Sequence, residues 1–194
     1  MGVAEPSDPL DAGLLLAAAF EAAQVPYALG GALAYGFWGV PRATIDVDVN
    51  VFVKDDGLAD VFAALAGLGI SVDEAAARAA SQRDGLFIVS LGAFRVDLFT
   101  PSIEFSWEAE RSRVRRTVEH QQVWFLSAEA LAVFKLLFFR TKDIADLERL
   151  VAMQGPHLDT DYVRRHVVTM MGEADERVRR WDELVSAFGD TGKP

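Results

Sequence analysis

The chain has 194 residues, a formal net charge of −10, no cysteine and 51% hydrophobic residues. This length suits one domain, or one domain with a small helical annex, and so apolar a chain is not disordered. The absence of cysteine excludes a disulfide framework, a thiolate zinc site and a cysteine nucleophile, and three scattered histidines do not form a metal site. A general nucleic-acid coat is excluded as well, because such a protein would be basic overall.

The stretch Ala22–Pro41 contains no charged residue and has the length of a membrane span. Gln24, Pro26 and four glycines interrupt it, so a helix there would leave backbone groups unsatisfied in a bilayer. The N-terminal region begins with acidic residues where a secretory signal would be basic. We therefore expect a soluble, cytoplasmic protein.

The first half of the chain alternates helix and strand patterns. The predicted elements are, in order, a helix from Pro9 capped by Asp8, strand Tyr27–Leu29, helix Ala32–Trp38, strand Thr44–Val53, a helix from Asp55 or Asp56 to Gly67, a strand candidate Ile70–Val72, helix Asp73–Ser81, and strands Leu86–Leu91 and Phe94–Phe99. Gly92-Ala93 separates the last two strands and predicts a hairpin.

The second half is predicted to be mostly helical. The elements are helix Trp107–Thr117, an extended piece Gln122–Leu126, helix Ala128–Arg140 capped by Ser127, helix Lys142–Met153, a helix from Asp159 to Gly172, and a last helix ending near Phe188. We therefore expect an α/β domain over residues 1–118, followed by a helical C-terminal region over residues 119–194 packed on it.

The sequence Asp46-Val47-Asp48 lies in the clearest predicted strand. Residues at i and i+2 stand on one face of a strand, about 7 Å apart along it. Like charges so placed repel, and a divalent cation between them would relieve the repulsion. Oxygen ligands favour Mg²⁺ or Mn²⁺. The alternative is a solvent-exposed edge strand whose outer face is acidic.

Two further features have both a functional and a structural interpretation. Gly30-Gly31 falls between a predicted strand and a helix, where backbone N–H groups can approach an anion; a tight turn is the alternative. Asp97 is an isolated carboxylate in an apolar strand, and a charge there needs a partner. That partner is either a metal ion or Arg95, which shares its face.

Two segments carry a resemblance to a known family. One is Leu29-Gly30-Gly31-Ala32 followed by Pro41-Arg42-Ala43-Thr44-Ile45-Asp46-Val47-Asp48; the other runs from Leu126 through Lys135 to Lys142-Asp143-Ile144-Ala145-Asp146. In this order they resemble small bacterial nucleotidyltransferases of the AbiEii and minimal nucleotidyltransferase type, over roughly residues 25 to 151. The resemblance implies the nucleotidyltransferase fold, a mixed sheet with flanking helices, followed by a helical C-terminal half.

The resemblance also implies a two-metal mechanism. Asp46 and Asp48 would bind the Mg²⁺ or Mn²⁺ ions that carry the phosphates of a nucleoside triphosphate. Asp97 would complete the second metal site and help to activate the acceptor hydroxyl. Gly30 and Gly31 would hold the β- and γ-phosphates against the following helix.

Four more residues receive roles by the same resemblance. Arg42 and Thr44 would contact phosphate, Lys135 would reach the triphosphate, and Asp143 would lie near the site. The alternative for Lys135 is a lysine that only extends along an apolar helix towards water. For Asp143, and for Asp146 on the same helix face, it is favourable placement in the first turn of a helix.

The resemblance leaves several acceptors open. The preferred acceptor is RNA, a transfer-RNA 3′ end modified by a growth-inhibiting toxin of a type IV-like toxin–antitoxin pair, with an antitoxin protein as partner. A small molecule of the aminoglycoside kind, a partner protein, or a catalytically silent nucleotide-binding interaction module are the alternatives. Residues 111–180 hold thirteen basic and ten acidic residues, with arginine clusters suited to phosphate. Pairing of these arginines with acids on the same helices is the structural alternative.

Overall fold

The computed structural model describes residues 5–188 of the protein. The helices are α1 Pro9–Ala22, α2 Gly31–Trp38, α3 Leu58–Gly67, α4 Glu74–Asp84, α5 Phe105–Ser112, α6 Ala128–Phe138, α7 Thr141–Gln154, α8 Thr160–Met171 and α9 Glu176–Phe188. The strands are β1 Tyr27–Leu29, β2 Asp46–Val51, β3 Leu86–Leu91, β4 Phe94–Phe99, β5 Val114–Val118 and β6 Gln121–Phe125.

Within residues 5–188 the strands form one mixed sheet in the order β3-β4-β2-β1-β6-β5. The pairs β2–β4 and β1–β6 are parallel, and the other neighbours are antiparallel. Strand β2 therefore has a hydrogen-bonded neighbour on both sides. The interpretation of Asp46 and Asp48 as the outer face of an edge strand is wrong.

Side-chain caps explain where several helices begin, and those at Asp8 and Ser127 are the ones that the sequence predicts. The Asp8 carboxylate accepts the N–H of Asp11 at the start of α1, and Asp73 does the same for α4. The Ser127 hydroxyl accepts the N–H of Ala130 at the start of α6. Helix α6 ends two residues earlier than predicted, because Phe139 takes a left-handed conformation.

Two predicted elements are wrong. The predicted helix Trp107–Thr117 ends at Ser112, and the chain continues as strand β5, which pairs with β6. The turn between these strands is Glu119-His120, and both residues have positive φ, as a two-residue hairpin turn requires. The strand candidate Ile70–Val72 forms no strand.

The two faces of the sheet differ in polarity at its centre. Val47, Val49, Val96 and Leu98 on β2 and β4 are fully buried. Helix α1 contacts β1, β2 and β6 and also packs against α3, so the apolar layer lies between the sheet and these helices. The opposite face carries Asp46, Asp48, Arg95 and Asp97, which are half-buried or exposed.

The chain divides into two compact units, and each is described by itself. The first contains the described residues up to Leu33 together with Ala43–Leu126, and so includes the whole sheet. The second contains Ala34–Arg42 and the described residues from Ser127 onward. Across residues 5–188, no helix combines the length and the hydropathy that crossing a membrane requires.

Candidate active site

The first unit places two of the predicted carboxylates side by side. Strands β2 and β4 run parallel, and Asp48 is in register with Asp97, while Asp46 is in register with Arg95. Neighbouring strands lie about 4.8 Å apart, and residues in register point to the same face. Asp46, Asp48 and Asp97 therefore share one small area in the middle of the sheet.

This area is neither open surface nor apolar core. Asp46, Asp48 and Asp97 are half-buried, whereas the valines between them on β2 are fully buried. Three carboxylates in so small an area repel one another, and partial burial weakens the screening by water. Such an arrangement favours a cation on this face.

The Gly30-Gly31 pair lies directly against Asp48. The N–H of Gly30 donates to the backbone oxygen of Asp48 at 2.8 Å, which continues the ladder between β1 and β2. Gly31 begins α2 with φ of +48°, and a Cβ atom built there would lie 1.6 Å from Oδ2 of Asp48. Only glycine therefore lets the start of α2 approach this carboxylate.

Asn50 also lies in this region, and the sequence alone does not identify it. Its side chain is buried, and its Nδ2 atom lies 2.8 Å from the position that a Cβ of Gly30 would occupy. The only signal for it is its place on the Asp46–Asp48 face of β2. Asn50 thus limits the residue at position 30 to glycine.

Thr44 acts on the backbone at the start of β2. Its hydroxyl donates to the carbonyl of Asp46 at 3.1 Å, and the N–H of Asp46 donates to Thr44 Oγ1 at 3.2 Å. These bonds fix the entry into the strand that carries Asp46. The phosphate contact implied for Thr44 stays a prediction.

Asp97 is held by Arg95. Nε of Arg95 donates to Oδ1 of Asp97 at 2.6 Å, and Nη2 donates to Oδ2 at 3.2 Å, so both carboxylate oxygens are engaged. The hydrogen bond and the charge of Asp97 raise the pKa of Arg95, and the charges of Asp46 and Asp48 raise it further. The structural alternative for Asp97, an ion pair with Arg95, is therefore the arrangement present.

The donor set on this face fits a divalent cation by its chemistry. All donors are carboxylate oxygens on two neighbouring strands, which suits Mg²⁺ or Mn²⁺. Within the described part of the chain, no three acidic or histidine side chains are gathered closely enough to hold a metal ion. The register of β2 and β4 brings Asp48 and Asp97 to neighbouring positions, while the Asp97 side chain is turned to Arg95.

The remaining predicted residues, Arg42, Lys135 and Asp143, belong to the second unit and form one ion cluster there, in which Lys135 and Asp143 are buried and the Arg42 side chain is 33% exposed. Nζ of Lys135 lies 2.6 Å from Oδ2 of Asp146 and 3.6 Å from Oδ1 of Asp143. Arg42 reaches the same Asp146 oxygen at 3.3 Å. The snorkelling interpretation of Lys135 is wrong, because its side chain is 6% exposed and ion-paired. The phosphate roles implied for Lys135 and Arg42 stay predictions.

Asp143 connects this cluster to the start of α7. It accepts hydrogen bonds from Nε and from the backbone N–H of Arg140, at 2.6 and 3.2 Å. Burial pushes the pKa of Asp143 upward, but the hydrogen bonds and charge of Arg140 and the charge of Lys135 outweigh burial and leave the pKa below its ordinary value. The sequence does not predict that Arg140 belongs to this ion cluster, since nothing in its spacing distinguishes it from a surface arginine.

No protein-family model matches the chain, and no curated protein is significantly similar to it in sequence. Solved structures do resemble it. The solution structure of the antibiotic-resistance factor ANT(2″)-Ia superimposes with a TM-score of 0.51 at 18% identity, covering 93% of this chain and 92% of that one. The chain has the nucleotidyltransferase fold.

A second solved structure resembles the chain over a similar extent. The crystal structure of an antigenic nucleotidyltransferase-like protein from Paracoccidioides brasiliensis superimposes with a TM-score of 0.50 at 15% identity, covering 89% of this chain and 93% of that one. The fold expected from the resemblance, a mixed sheet with flanking helices and a helical C-terminal half, is confirmed. The narrower AbiEii type stays a prediction.

Substitution of Gly31 tests the close approach of α2 to Asp48. Gly31→Ala strains a positive φ and also drives Cβ into the Asp48 carboxylate. Gly69→Ala is the matched control, because Gly69 also has positive φ (+78°) but has nothing within 4 Å of its Cβ position. We expect the control to lose roughly 1 kcal/mol and Gly31→Ala at least roughly 2 kcal/mol of unfolding free energy in urea. Equal losses would contradict this position of the Asp48 carboxylate.

The lowered pKa of Asp143 predicts a pH-dependent contribution to stability. A carboxyl whose pKa is depressed by folding stabilises the protein above its unfolded pKa of about 3.9, and this stabilisation is lost as pH falls through the folded pKa. Asp143→Asn should therefore be less stable than the wild type by about 3 kcal/mol at pH 6, and the difference should shrink below about pH 4. Asp84→Asn, in an exposed pair with Arg83, is the control. A difference unchanged down to pH 2 would contradict the assignment.

Proposed function

We propose that the protein is a metal-dependent nucleotidyltransferase, which transfers a nucleoside monophosphate from a nucleoside triphosphate to an acceptor hydroxyl. The observation that carries the proposal is the in-register placement of Asp48 and Asp97 on neighbouring strands, directly beside Gly30-Gly31. The nucleotidyltransferase fold agrees with it.

In the proposed reaction Asp46, Asp48 and Asp97 hold the divalent cation, and the N-terminus of α2 at Gly31 faces the phosphates. The bound cation supplies charge neutralisation for the triphosphate and for the leaving group. The acceptor oxygen bonds to the α-phosphorus, the bond from that phosphorus to the bridging oxygen breaks, and pyrophosphate leaves. Asp97 takes up the hydroxyl proton and passes it to solvent.

The proposed acceptor is a hydroxyl-bearing small molecule with positive charge, of the aminoglycoside kind. A chain with a net charge of −10 attracts cations and repels polyanions over long range. Several of the arginines that would contact RNA are paired with acids of this chain, among them Arg111 with Glu108 and Arg113 with Glu110. ANT(2″)-Ia, whose structure has the same fold, is described as an antibiotic-resistance factor, which agrees with a small-molecule acceptor.

An RNA acceptor is the second candidate. It rests on the net positive charge of residues 111–180 and on Arg113 and Arg115, which stack over the ring of Trp124. An aromatic–arginine surface of this kind suits nucleotide bases. In this case the transfer-RNA 3′ end is the substrate, and the toxin activity with its antitoxin would follow.

A transfer assay separates these candidates. The protein is incubated with Mg²⁺ and each α-labelled nucleoside triphosphate, together with either aminoglycosides or transfer RNA. We expect label on an aminoglycoside and release of pyrophosphate; label on RNA alone would favour the second candidate. Triphosphate binding without turnover of any acceptor, protein included, would identify a silent module.

Asp48→Asn tests the assignment of the site in the same assay. Loss of a charged ligand of the divalent cation should lower the rate by roughly 10²- to 10³-fold. Asp84→Asn, an exposed carboxylate on α4, should leave the rate unchanged. Full activity of Asp48→Asn would refute the proposed site.

A further inference from the structure

Arg95 pairs with Asp97 and lies in register with Asp46 on the same face of the sheet. Its side chain is 52% exposed, whereas that of its partner Asp97 is 15% exposed. The bond is bidentate and short, which is the geometry that makes a guanidinium–carboxylate pair strong. The guanidinium of Arg95 is therefore held by Asp97, while the rest of the side chain is open to water.

The register of the sheet places Arg95 within the group of three carboxylates. Arg95 is opposite Asp46 on β2, and its partner Asp97 is opposite Asp48. One guanidinium thus offsets charge from three carboxylates on one face. A divalent cation bound to Asp97 would need the oxygen atoms that Arg95 now occupies.

We propose that Arg95 is a built-in competitor of the metal: its guanidinium occupies Asp97 in the metal-free protein and is displaced when the divalent cation binds. The inference rests on the proposed function, since it concerns the same carboxylates. Asp97 cannot serve both cations fully, because Arg95 engages both of its oxygens. Displacement needs only a rotation of the exposed Arg95 side chain about its own stem.

Binding of Mn²⁺ alone, followed by calorimetry and by electron paramagnetic resonance, tests the competition. Arg95→Ala should bind Mn²⁺ roughly three- to tenfold more tightly than the wild type. Arg95→Lys keeps the charge but loses the two-pronged geometry, and should fall between the two. Arg83→Ala is the matched control, because Arg83 pairs with Asp84 at the same 2.6 Å but away from this face.

Thermal unfolding gives a readout that a purely structural ion pair would not show. Without metal, Arg95→Ala should melt roughly 2–4 °C below the wild type, because Asp97 loses its counter-charge. With saturating Mn²⁺ the difference should disappear, since Arg95 no longer holds Asp97 in either protein. A difference that persists in Mn²⁺ would overturn the inference.

The remaining outcomes distinguish the inference from the function on which it rests. If the wild type binds Mn²⁺ and Arg95→Ala binds it no more tightly, the competition is refuted and the metal centre stands. If Arg95→Lys binds as the wild type does, charge alone sets the affinity, and displacement is refuted. If neither the wild type nor any variant binds Mn²⁺, with or without a nucleoside triphosphate, the metal-dependent function itself is refuted.

Discussion

Repulsion among three carboxylates on one face of a mixed sheet is the constraint around which the first unit is arranged. Parallel pairing of β2 with β4 places Asp48 beside Asp97, and neither strand can shift by one residue without burying its charges and exposing its valines. The hydrophobic layer therefore enforces an arrangement that electrostatics alone would oppose. A positive charge must offset it, and in this structure Arg95 supplies one.

The position of these carboxylates also explains why glycine is needed at position 31 and why Thr44 is bonded to the backbone at the start of β2. The N-terminus of α2 carries favourable partial charge for an anion, and it reaches the Asp48 carboxylate because Gly31 has no side chain. The Thr44 hydroxyl fixes the backbone of Asp46. The carboxylates of the second unit are neutralised differently. Lys135 is buried together with its partners Asp143 and Asp146, so these two carboxylates need no exchangeable cation.

The sequence predicts the sheet centre well because valine alternation and an isolated Asp97 leave few alternatives for β2 and β4. It predicts the helix starts well because Asp8 and Ser127 cap them locally. It fails at β5, where Arg115 and Arg116 are compatible with a helix and only pairing with β6 makes a strand. It also leaves Asp97 with two possible partners, since spacing does not reveal which way a carboxylate turns.

The most direct test of the metal centre is diffraction from a crystal of the protein soaked with Mn²⁺, recorded for its anomalous signal. We expect a peak about 2.1 Å from carboxylate oxygens of Asp46, Asp48 and Asp97, with the Arg95 guanidinium moved away from Asp97. A protein that binds Mn²⁺ only elsewhere, with the Arg95–Asp97 pair intact, would contradict it.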